Sequence, residues 1–232
     1  MIAGKRRGFL DRTAGCTKKP IKYINDVLMN FSLMNCQSLK WKLPSLSENF
    51  KNNKCAFIIA NETWFKRKDP QLKKLLDDLE DEFDIKAIRK DRKLGKTGLA
   101  HGGVATFFDS TKCTLKAFPL NALRGKEERE YEILASRGNL RGVSREIVIF
   151  SCYLPPKINK AKIDSIFETL TDAISEAKAK AKSPWLVIAG DWNKYNTDPI
   201  TLAFPDLKKH LTGPTRGLAT FCLLYTSPSP RD

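Results

Sequence analysis

The stretch PWLVIAGDWNKYN, residues 184–196, bears on both the fold and the function of this chain. Trp185–Ala189 is an apolar run with two β-branched residues, which predicts a short strand buried in a sheet. The run breaks at Gly190 and is followed by Asp191 and, two residues later, Asn193. Asp and Asn are common turn formers, but they also occur at active-site edges, where strands meet loops. This stretch alone leaves both interpretations open.

The length of 232 residues predicts one domain, or at most two small ones, and the composition indicates a soluble globular protein. Apolar residues make up 41% of the chain and charged residues 29%, as in globular proteins that bury a sizeable core. No apolar run approaches the roughly 20 residues that span a bilayer. The basic N-terminus lacks the continuous apolar segment of a secretory signal. We therefore expect a nuclear or cytoplasmic protein that is neither secreted nor bound to a membrane.

The charge of the chain predicts a polyanionic partner. Lys and Arg number 41 against 26 Asp and Glu, which gives a net charge of +15. Nucleic acid is the first candidate and an anionic membrane surface the second; a generally basic surface without a specific partner is the alternative. The six cysteines are scattered without a CxxC pair, and the chain has two histidines. This pattern disfavours both a zinc site and a disulfide framework.

The order of predicted elements is strand, strand, helix, several strands, long helix, strand. Residues 1–24 are basic and lack periodicity, so they predict a leader outside the domain. One helix is predicted to begin at Pro70, and the clearest helix spans 161–182, where apolar residues follow helical spacing. His101–Gly103 predicts a turn into a strand. This order favours a mixed sheet, or two sheets packed face to face with helices outside.

Four apolar runs end in polar side chains, at Asn35, at Glu62, at Tyr153 and at Asp191 with Asn193. In sheets covered by helices, functional residues collect where strands meet loops at one edge. Carboxylates, amides and a phenol at one edge would suit a hard divalent cation and phosphate chemistry. Each residue alone has an ordinary structural explanation as a strand-end or turn residue. The set as a whole favours a site.

Five segments resemble the endonuclease/exonuclease/phosphatase superfamily in order and rough spacing. They are most similar to the apurinic-type endonuclease domain of non-LTR retrotransposons, and the resemblance covers about residues 28 to 220. It implies an α/β fold, a four-layer sandwich of two packed mixed β-sheets flanked by helices. AIRKDR (87–92) and GPTRG (213–217) fit the same branch. The five segments are LMNCQSL (33–39), IIANETW (58–64), HGGVATFF (101–108), IFSCYLPP (149–156) and LVIAGDWN (186–193).

The resemblance also implies roles for the strand-end residues. Glu62 would bind Mg²⁺ or Mn²⁺, and Asn35 would orient the acidic cluster. Asp191 would position or deprotonate the attacking water. Asn193 would hydrogen-bond the scissile phosphate, and Tyr153 would contact the phosphate or the leaving oxygen. Hydrolysis of DNA would leave a 3′-hydroxyl that primes reverse transcription, so a downstream reverse transcriptase domain is expected in the full-length parent.

Three arginines flank the predicted site and are candidates for contacts with DNA phosphates. They are Arg89, Arg92 and Arg216, and solvated surface charge is the alternative for each. Trp64 lies two residues after Glu62, and Trp192 directly follows Asp191. For both tryptophans we expect packing in the core rather than stacking on bases.

The chain departs from the family pattern near its end. The family has an Asp that orients a catalytic histidine, and a final strand that ends in Asp-His. Here Cys222 stands about where that first Asp is expected, and SPSPRD leads to Asp232 with no Asp-His. We therefore expect an incomplete domain over 25–221 that lacks its last strand or strands, and a non-native tail over 222–232. A missing histidine would reduce the rate by roughly 10² to 10⁴-fold.

Two alternatives to a DNA endonuclease remain. The first is another branch of the superfamily that hydrolyses phosphoinositides, sphingomyelin or RNA. The second is a catalytically inactive fragment that binds nucleic acid. The net charge and GPTRG favour DNA as the partner, with RNA as a second candidate.

Overall fold

The computed structural model of the chain describes residues 30–65, 70–91, 102–125, 131–216 and 219–226. For Trp41 and for 210–216 and 219–226 only the backbone is described. The predicted leader over 1–24, Arg92 and residues 227–232 of the predicted tail lie outside the described residues.

Ten strands and four helices, with two 3-10 turns, make up the described part of the chain. In chain order they are β1 (Phe31–Asn35), a 3-10 turn (Leu39–Trp41), α1 (Leu43–Asn53), β2 (Phe57–Asn61), α2 (Pro70–Phe83), β3 (Ile85–Lys90), β4 (Val104–Asp109), β5 (Cys113–Ala117), a 3-10 turn (Asn121–Leu123), β6 (Glu132–Leu140), β7 (Glu146–Tyr153), α3 (Lys160–Lys180), β8 (Trp185–Asp191), α4 (Asp198–Ala203), β9 (Leu207–Arg216) and β10 (Ala219–Thr226).

The strands form two mixed sheets, which confirms the predicted fold class. The order is β1-β2-β4-β3 in the four-stranded sheet and β5-β6-β7-β8-β10-β9 in the six-stranded sheet. The pairs β1/β2 and β7/β8 are parallel, and the other pairs are antiparallel. β10 lies between β8 and β9, so residues 222–226 of the predicted tail belong to a central strand of their sheet.

The two sheets pack face to face between two layers of helices, in the four-layer arrangement expected from the resemblance. One apolar cluster lies between the sheets and includes Phe57, Ile149 and Val187. A second packs α1 and α2 on the outer face of the four-stranded sheet, and a third packs α3 and α4 on the outer face of the six-stranded sheet. Because both faces of each sheet are covered, β2 and β8 are buried along their whole length.

Strand alternation assigns each residue of β8 to one of two cores. Val187 and Ala189 face the other sheet, whereas Leu186 and Ile188 face α3. By the same two-residue period, Asp191 faces the other sheet and Trp192 turns back toward α3. The local sequence thus determines which side of the six-stranded sheet receives the carboxylate.

The long helix α3 begins one residue before and ends two residues before its predicted bounds. Its start is capped by Asn159, whose side-chain oxygen accepts a hydrogen bond from the backbone N–H of Lys162 at 2.9 Å. Lys178 and Lys180 lie in its last turn, where positive charge is favourable. In the part of the chain that the structure describes, no helix combines the length and apolar character needed to cross a membrane.

We expect Asn159→Ala to lower the free energy of unfolding by about 1 kcal/mol, because it leaves a backbone donor of the first turn without its acceptor. Asn159→Asp is the matched control and should leave stability nearly unchanged, since Asp caps as well as Asn. Urea unfolding followed by circular dichroism measures both. Equal losses in the two variants would contradict a role for the cap.

Candidate active site

Asn35, Tyr153 and Asp191 lie on two rows of paired residues, one row in each sheet. In the four-stranded sheet one row runs from Asn35 through Asn61 and Val104 to Lys90. In the six-stranded sheet the matching row contains Glu132, Tyr153 and Asp191. Directly paired residues on neighbouring strands point to the same face. The two rows face each other at one end of the sheet interface, which we call the site edge.

Asn35 joins two carboxylates at the site edge. Its amide nitrogen donates to Glu62 Oε1 at 3.2 Å and to Asp191 Oδ2 at 3.0 Å. The Tyr153 hydroxyl donates to the same Glu62 oxygen at 3.2 Å. The structure therefore brings Asn35, Glu62, Tyr153 and Asp191 into one hydrogen-bonded cluster. Their implied roles in hydrolysis remain predictions.

The backbone that presents Glu62 is in an uncommon conformation. Glu62 and Trp64 have φ angles of 53° and 55°, in the left-handed region that non-glycine residues rarely adopt. The backbone N–H groups of Thr63 and Trp64 donate to the carbonyls of Gly103 and Gly102 at 3.3 and 2.9 Å. Those glycines have φ angles of 87° and 105°, so the turn predicted before β4 holds the Glu62 segment in place.

Asp191 is a buried carboxylate with an altered acidity. Its residue is only 3% exposed, and burial raises the pKa of its carboxyl group above the usual Asp value. The negative charge of Glu62 acts in the same direction, whereas the N–H of Asn193 and the amide of Asn35 oppose it. The Asn193 N–H reaches Asp191 Oδ1 at 3.0 Å. A cation placed between the two carboxylates would favour their charged forms.

Asn193 holds the segment that follows β7. Its φ of 51° lets the chain turn sharply after β8. Its amide nitrogen donates to the Leu154 carbonyl at 2.5 Å, and the Leu154 N–H donates to the Asp191 carbonyl at 3.0 Å. One amide hydrogen of Asn193 is therefore engaged within the protein. The second is the one that could meet a phosphate, because an amide nitrogen carries two donors.

The two tryptophans lie differently in the structure. Trp192 is fully buried and stacks on Phe167 of α3, with ring centroids 6.2 Å apart. This confirms the expected core packing for Trp192. Trp64 is half-buried, with its indole nitrogen inside the protein.

The three arginines predicted to contact phosphate are described to different extents. Arg89 precedes the Lys90 position of the site-edge row, pairs with Asp91 at 2.9 Å and lies 5.7 Å from the Phe65 ring centroid. Its side chain keeps 28% of its surface exposed. Arg216 is the last residue of β9. It lies at the end of the six-stranded sheet that contains Asp191, and only its backbone is described. Arg92 lies outside the described residues.

Two buried polar residues at the site edge were missed by the sequence analysis. Glu132 and Asn61 are each only 1% exposed. Both lie on the site-edge rows, Glu132 beside Tyr153 and Asn61 beside Asn35. Asn61 carries the signal that identified Glu62, a polar residue at the end of an apolar run. Glu132 begins β6, which also contains Ser136, Arg137 and Asn139, so it gives no such signal.

The donor set fits a hard divalent cation. In the described part of the chain, no group of three or more His, Cys, Asp or Glu side chains converges as a metal cage would. Mg²⁺ does not need such a cage, because it binds through one or two carboxylates and keeps several waters. Glu62 and Asp191 supply the carboxylates. The buried Oδ1 of Asn35 has no hydrogen-bond partner among the described residues and adds an acceptor beside them.

No protein-family model and no curated protein matches this chain. Several solved structures match the chain. An endonuclease/exonuclease/phosphatase family protein from Bacteroides thetaiotaomicron is 13% identical with a TM-score of 0.59, and the match covers 87% of this chain and 83% of that one. The mannosyl-6-phosphatase Bt3783 of the same species is 12% identical with a TM-score of 0.56, covering 84% and 85%.

A 3'-5' exonuclease, NExo from Neisseria meningitidis, is 19% identical with a TM-score of 0.51. The match covers 72% of this chain but only 59% of that protein, so the chain spans less than two thirds of its length. Another structure of NExo holds a product DNA hairpin. At these identities the likenesses show the fold, and they confirm the fold that the sequence resemblance implied.

The raised pKa of Asp191 predicts a pH dependence of stability without metal. The folded state binds a proton more tightly than the unfolded state, so the free energy of unfolding contributed by Asp191 falls as pH rises from the ordinary Asp pKa of 3.8 through the raised value. Asp191→Asn removes this loss. Relative to the wild type, the variant should gain stability as pH increases across that window, measured by urea unfolding in EDTA.

The matched control is Asp164→Asn, which changes an exposed carboxylate on α3. A stability difference between Asp191→Asn and the wild type that does not vary with pH would contradict the raised pKa.

Proposed function

We propose that this chain, which has the fold of the endonuclease/exonuclease/phosphatase proteins, is a metal-dependent phosphodiesterase that nicks DNA and leaves a 3′-hydroxyl. The observation that carries this proposal is the Asn35 amide, which joins Glu62 of one sheet to Asp191 of the other at the site edge. Two carboxylates held this closely suit a divalent cation and a phosphate ester.

Each side chain of the cluster has a role that its contacts support. Glu62, on its fixed left-handed backbone, would hold Mg²⁺ or Mn²⁺, and Asn35 keeps its carboxylate turned toward Asp191. The cation would supply Lewis acidity, which lowers the pKa of water and offsets charge on the phosphate. Asp191, held by the Asn35 amide and the Asn193 N–H, would orient the attacking water and accept its proton.

The remaining two residues act on the phosphate. The water oxygen bonds to phosphorus and its proton passes to Asp191 as the bond from phosphorus to the 3′ oxygen breaks. The 3′ oxygen then takes up a proton from a solvent water. The Tyr153 hydroxyl lies beside Glu62 and would contact the phosphate or this leaving oxygen. Asn193, fixed by its bond to Leu154, would direct its second amide hydrogen to a non-bridging oxygen.

DNA is the proposed substrate because of charge and resemblance. The net charge of +15 favours a polyanion, and Arg89, a candidate for contact with DNA phosphates, directly precedes Lys90 of the site-edge row. NExo, which shares the fold, binds a product DNA hairpin. AIRKDR and GPTRG resemble the retrotransposon branch, in which the nick primes reverse transcription by a downstream domain. RNA is the second candidate substrate.

A second candidate function is hydrolysis of a small phosphate ester. The fold of the mannosyl-6-phosphatase Bt3783 matches this chain as well as that of any nuclease described above. The same cluster could act on a phosphomonoester, because a metal and a positioned water serve both reactions. The third candidate is a domain that binds nucleic acid without cleaving it, which the net charge of +15 would also explain.

Conversion of supercoiled plasmid to the nicked form tests the proposal. We expect slow nicking in Mg²⁺ or Mn²⁺ that EDTA abolishes, and a loss of at least about 10²-fold in Asp191→Asn and Glu62→Gln. Asp164→Asn, on the outer side of the six-stranded sheet, should nick like the wild type. Release of phosphate from a soluble sugar phosphate, without nicking, would favour the second candidate. DNA binding with no cleavage by any variant would favour the third.

Arg89 should strengthen DNA binding without conferring sequence preference. Arg89→Ala is expected to weaken binding to unrelated duplexes alike and to reduce the slope of log affinity against log salt by about 1. Arg141→Ala, an exposed residue between β6 and β7 at the opposite end of the sheet, is the control. Fluorescence anisotropy at several salt concentrations measures both. Equal effects of the two substitutions would mean that Arg89 contributes only general charge.

A further inference from the structure

One hydrogen bond crosses between the two sheets directly beneath the site edge. The side-chain amide of Asn61, the last residue of β2, donates to the backbone carbonyl of Cys152 in β7 at 2.5 Å. Asn61 is almost fully buried, and the two residues are 91 positions apart in sequence. The contact therefore ties the four-stranded sheet to the six-stranded sheet at one defined point.

A third residue, Gly190, is fitted to the same carbonyl. Gly190 pairs with Cys152 in the β7/β8 ladder. A Cβ atom at Gly190 would lie 1.8 Å from the Cys152 carbonyl oxygen and 2.7 Å from its carbon, far inside any real contact. Because both atoms belong to backbone, no side-chain movement could relieve the clash. Glycine at this position allows the carbonyl to stay where Asn61 reaches it.

Each of these three residues directly precedes a member of the site cluster. Glu62 follows Asn61, Tyr153 follows Cys152 and Asp191 follows Gly190. A displacement at the inter-sheet contact would therefore move the carboxylates and the phenol, because each belongs to the next residue in the chain. Hydrogen bonds of about 3 Å join these groups across the interface, so small changes in sheet separation would break them.

We infer that Asn61 is a positioning residue that fixes the spacing between Glu62 on one sheet and Tyr153 with Asp191 on the other. Asn61 donates its hydrogen bond to the Cys152 carbonyl and not to a member of the cluster, so it acts through that carbonyl. This inference rests on the proposed function, because the spacing that it fixes is the one a divalent cation would need. Replacing a residue that orients a metal ligand without contacting the metal typically changes metal affinity or activity by about 10 to 100-fold.

The burial of Asn61 argues against a purely stabilising role. Its Oδ1 is buried and has no hydrogen-bond partner among the described residues. Burying an unpaired amide oxygen is unfavourable, and a well-packed apolar residue would avoid that cost. A polar group retained at this cost, immediately beside the cluster, is expected where its geometry matters more than its contribution to stability.

A second inter-sheet contact provides a matched control. The hydroxyls of Thr106 in β4 and Ser151 in β7 lie 2.8 Å apart, and both residues are fully buried. Ser151 directly precedes Cys152, so this pair joins the same two sheets one step farther from the site edge. If sheet-to-sheet bonding alone mattered, loss of either contact should have the same consequences.

The experiment compares Asn61→Leu with Thr106→Val. Urea unfolding measures stability, and plasmid nicking against Mg²⁺ concentration measures the half-saturating metal concentration. We expect Asn61→Leu to raise that concentration by about 10-fold or more, while Thr106→Val changes it less than about twofold at a comparable stability. Equal shifts in the two variants would overturn the inference.

Two further measurements do not require catalysis. Loss of the free Mn²⁺ signal in electron paramagnetic resonance gives metal affinity directly. Amide hydrogen exchange without metal reports on both sides of the site edge, through the N–H of Trp64 bonded to Gly102 and the N–H of Leu154 bonded to Asp191. Asn61→Leu should speed exchange of both amides, and Thr106→Val should speed neither.

These readouts separate the two possible failures. A wild type that never nicks DNA would defeat the proposed function, while faster exchange of the Trp64 and Leu154 amides in Asn61→Leu alone would still support the positioning role. Unchanged exchange in Asn61→Leu would overturn that role even in an active enzyme.

Discussion

The hydrogen bonds from Asn35 to Glu62 and Asp191 connect two sheets whose facing surfaces are otherwise largely apolar. Two carboxylates beside each other repel, and burial disfavours the charge of Asp191. An amide placed between them with its donors toward both oxygens reduces that repulsion without adding charge. The geometry of the site edge therefore depends on how the sheets pack, because β1 and β8 must be correctly placed for both Asn35 hydrogen bonds to form.

Stability and chemistry oppose each other at the site edge. The raised pKa of Asp191 means that its carboxylate destabilises the fold at neutral pH in the absence of a cation. Glu62, Trp64 and Asn193 adopt left-handed backbone conformations that non-glycine residues avoid. Strained backbone and buried charge persist where the surrounding structure holds them in place and the geometry serves a function. Here the covered sheets and the Gly102–Gly103 turn supply that support.

Local sequence predicted the strand ends but not how the strands meet. Asp191 and Glu62 could be identified because continuous apolar runs stop shortly before them. The burial of Asn61 and Glu132 could not be predicted in this way, because it arises from contacts between strands far apart in the chain. The insertion of β10 between β8 and β9 has no local signal either. Helix α1 was missed because its few apolar residues stand among Ser, Asn and Lys, so its helical period is weak.

Under the proposed function, the two carboxylates of the site make phosphate binding depend on a bound cation. The chain as a whole is strongly positive, yet the proposed reaction centre contains two carboxylates that would repel a phosphate. Under the proposed function, the positive charge of the chain would raise the local concentration of DNA, but Arg89 would not neutralise Glu62 and Asp191, since it is itself paired with Asp91. Under the proposed function, a bound cation removes the repulsion, and a bound phosphate in turn strengthens the hold on the cation, because coupling between two binding events is reciprocal. The spacing of the two carboxylates sets the strength of that coupling, which is why a contact that fixes the separation of the sheets can govern chemistry without touching the substrate.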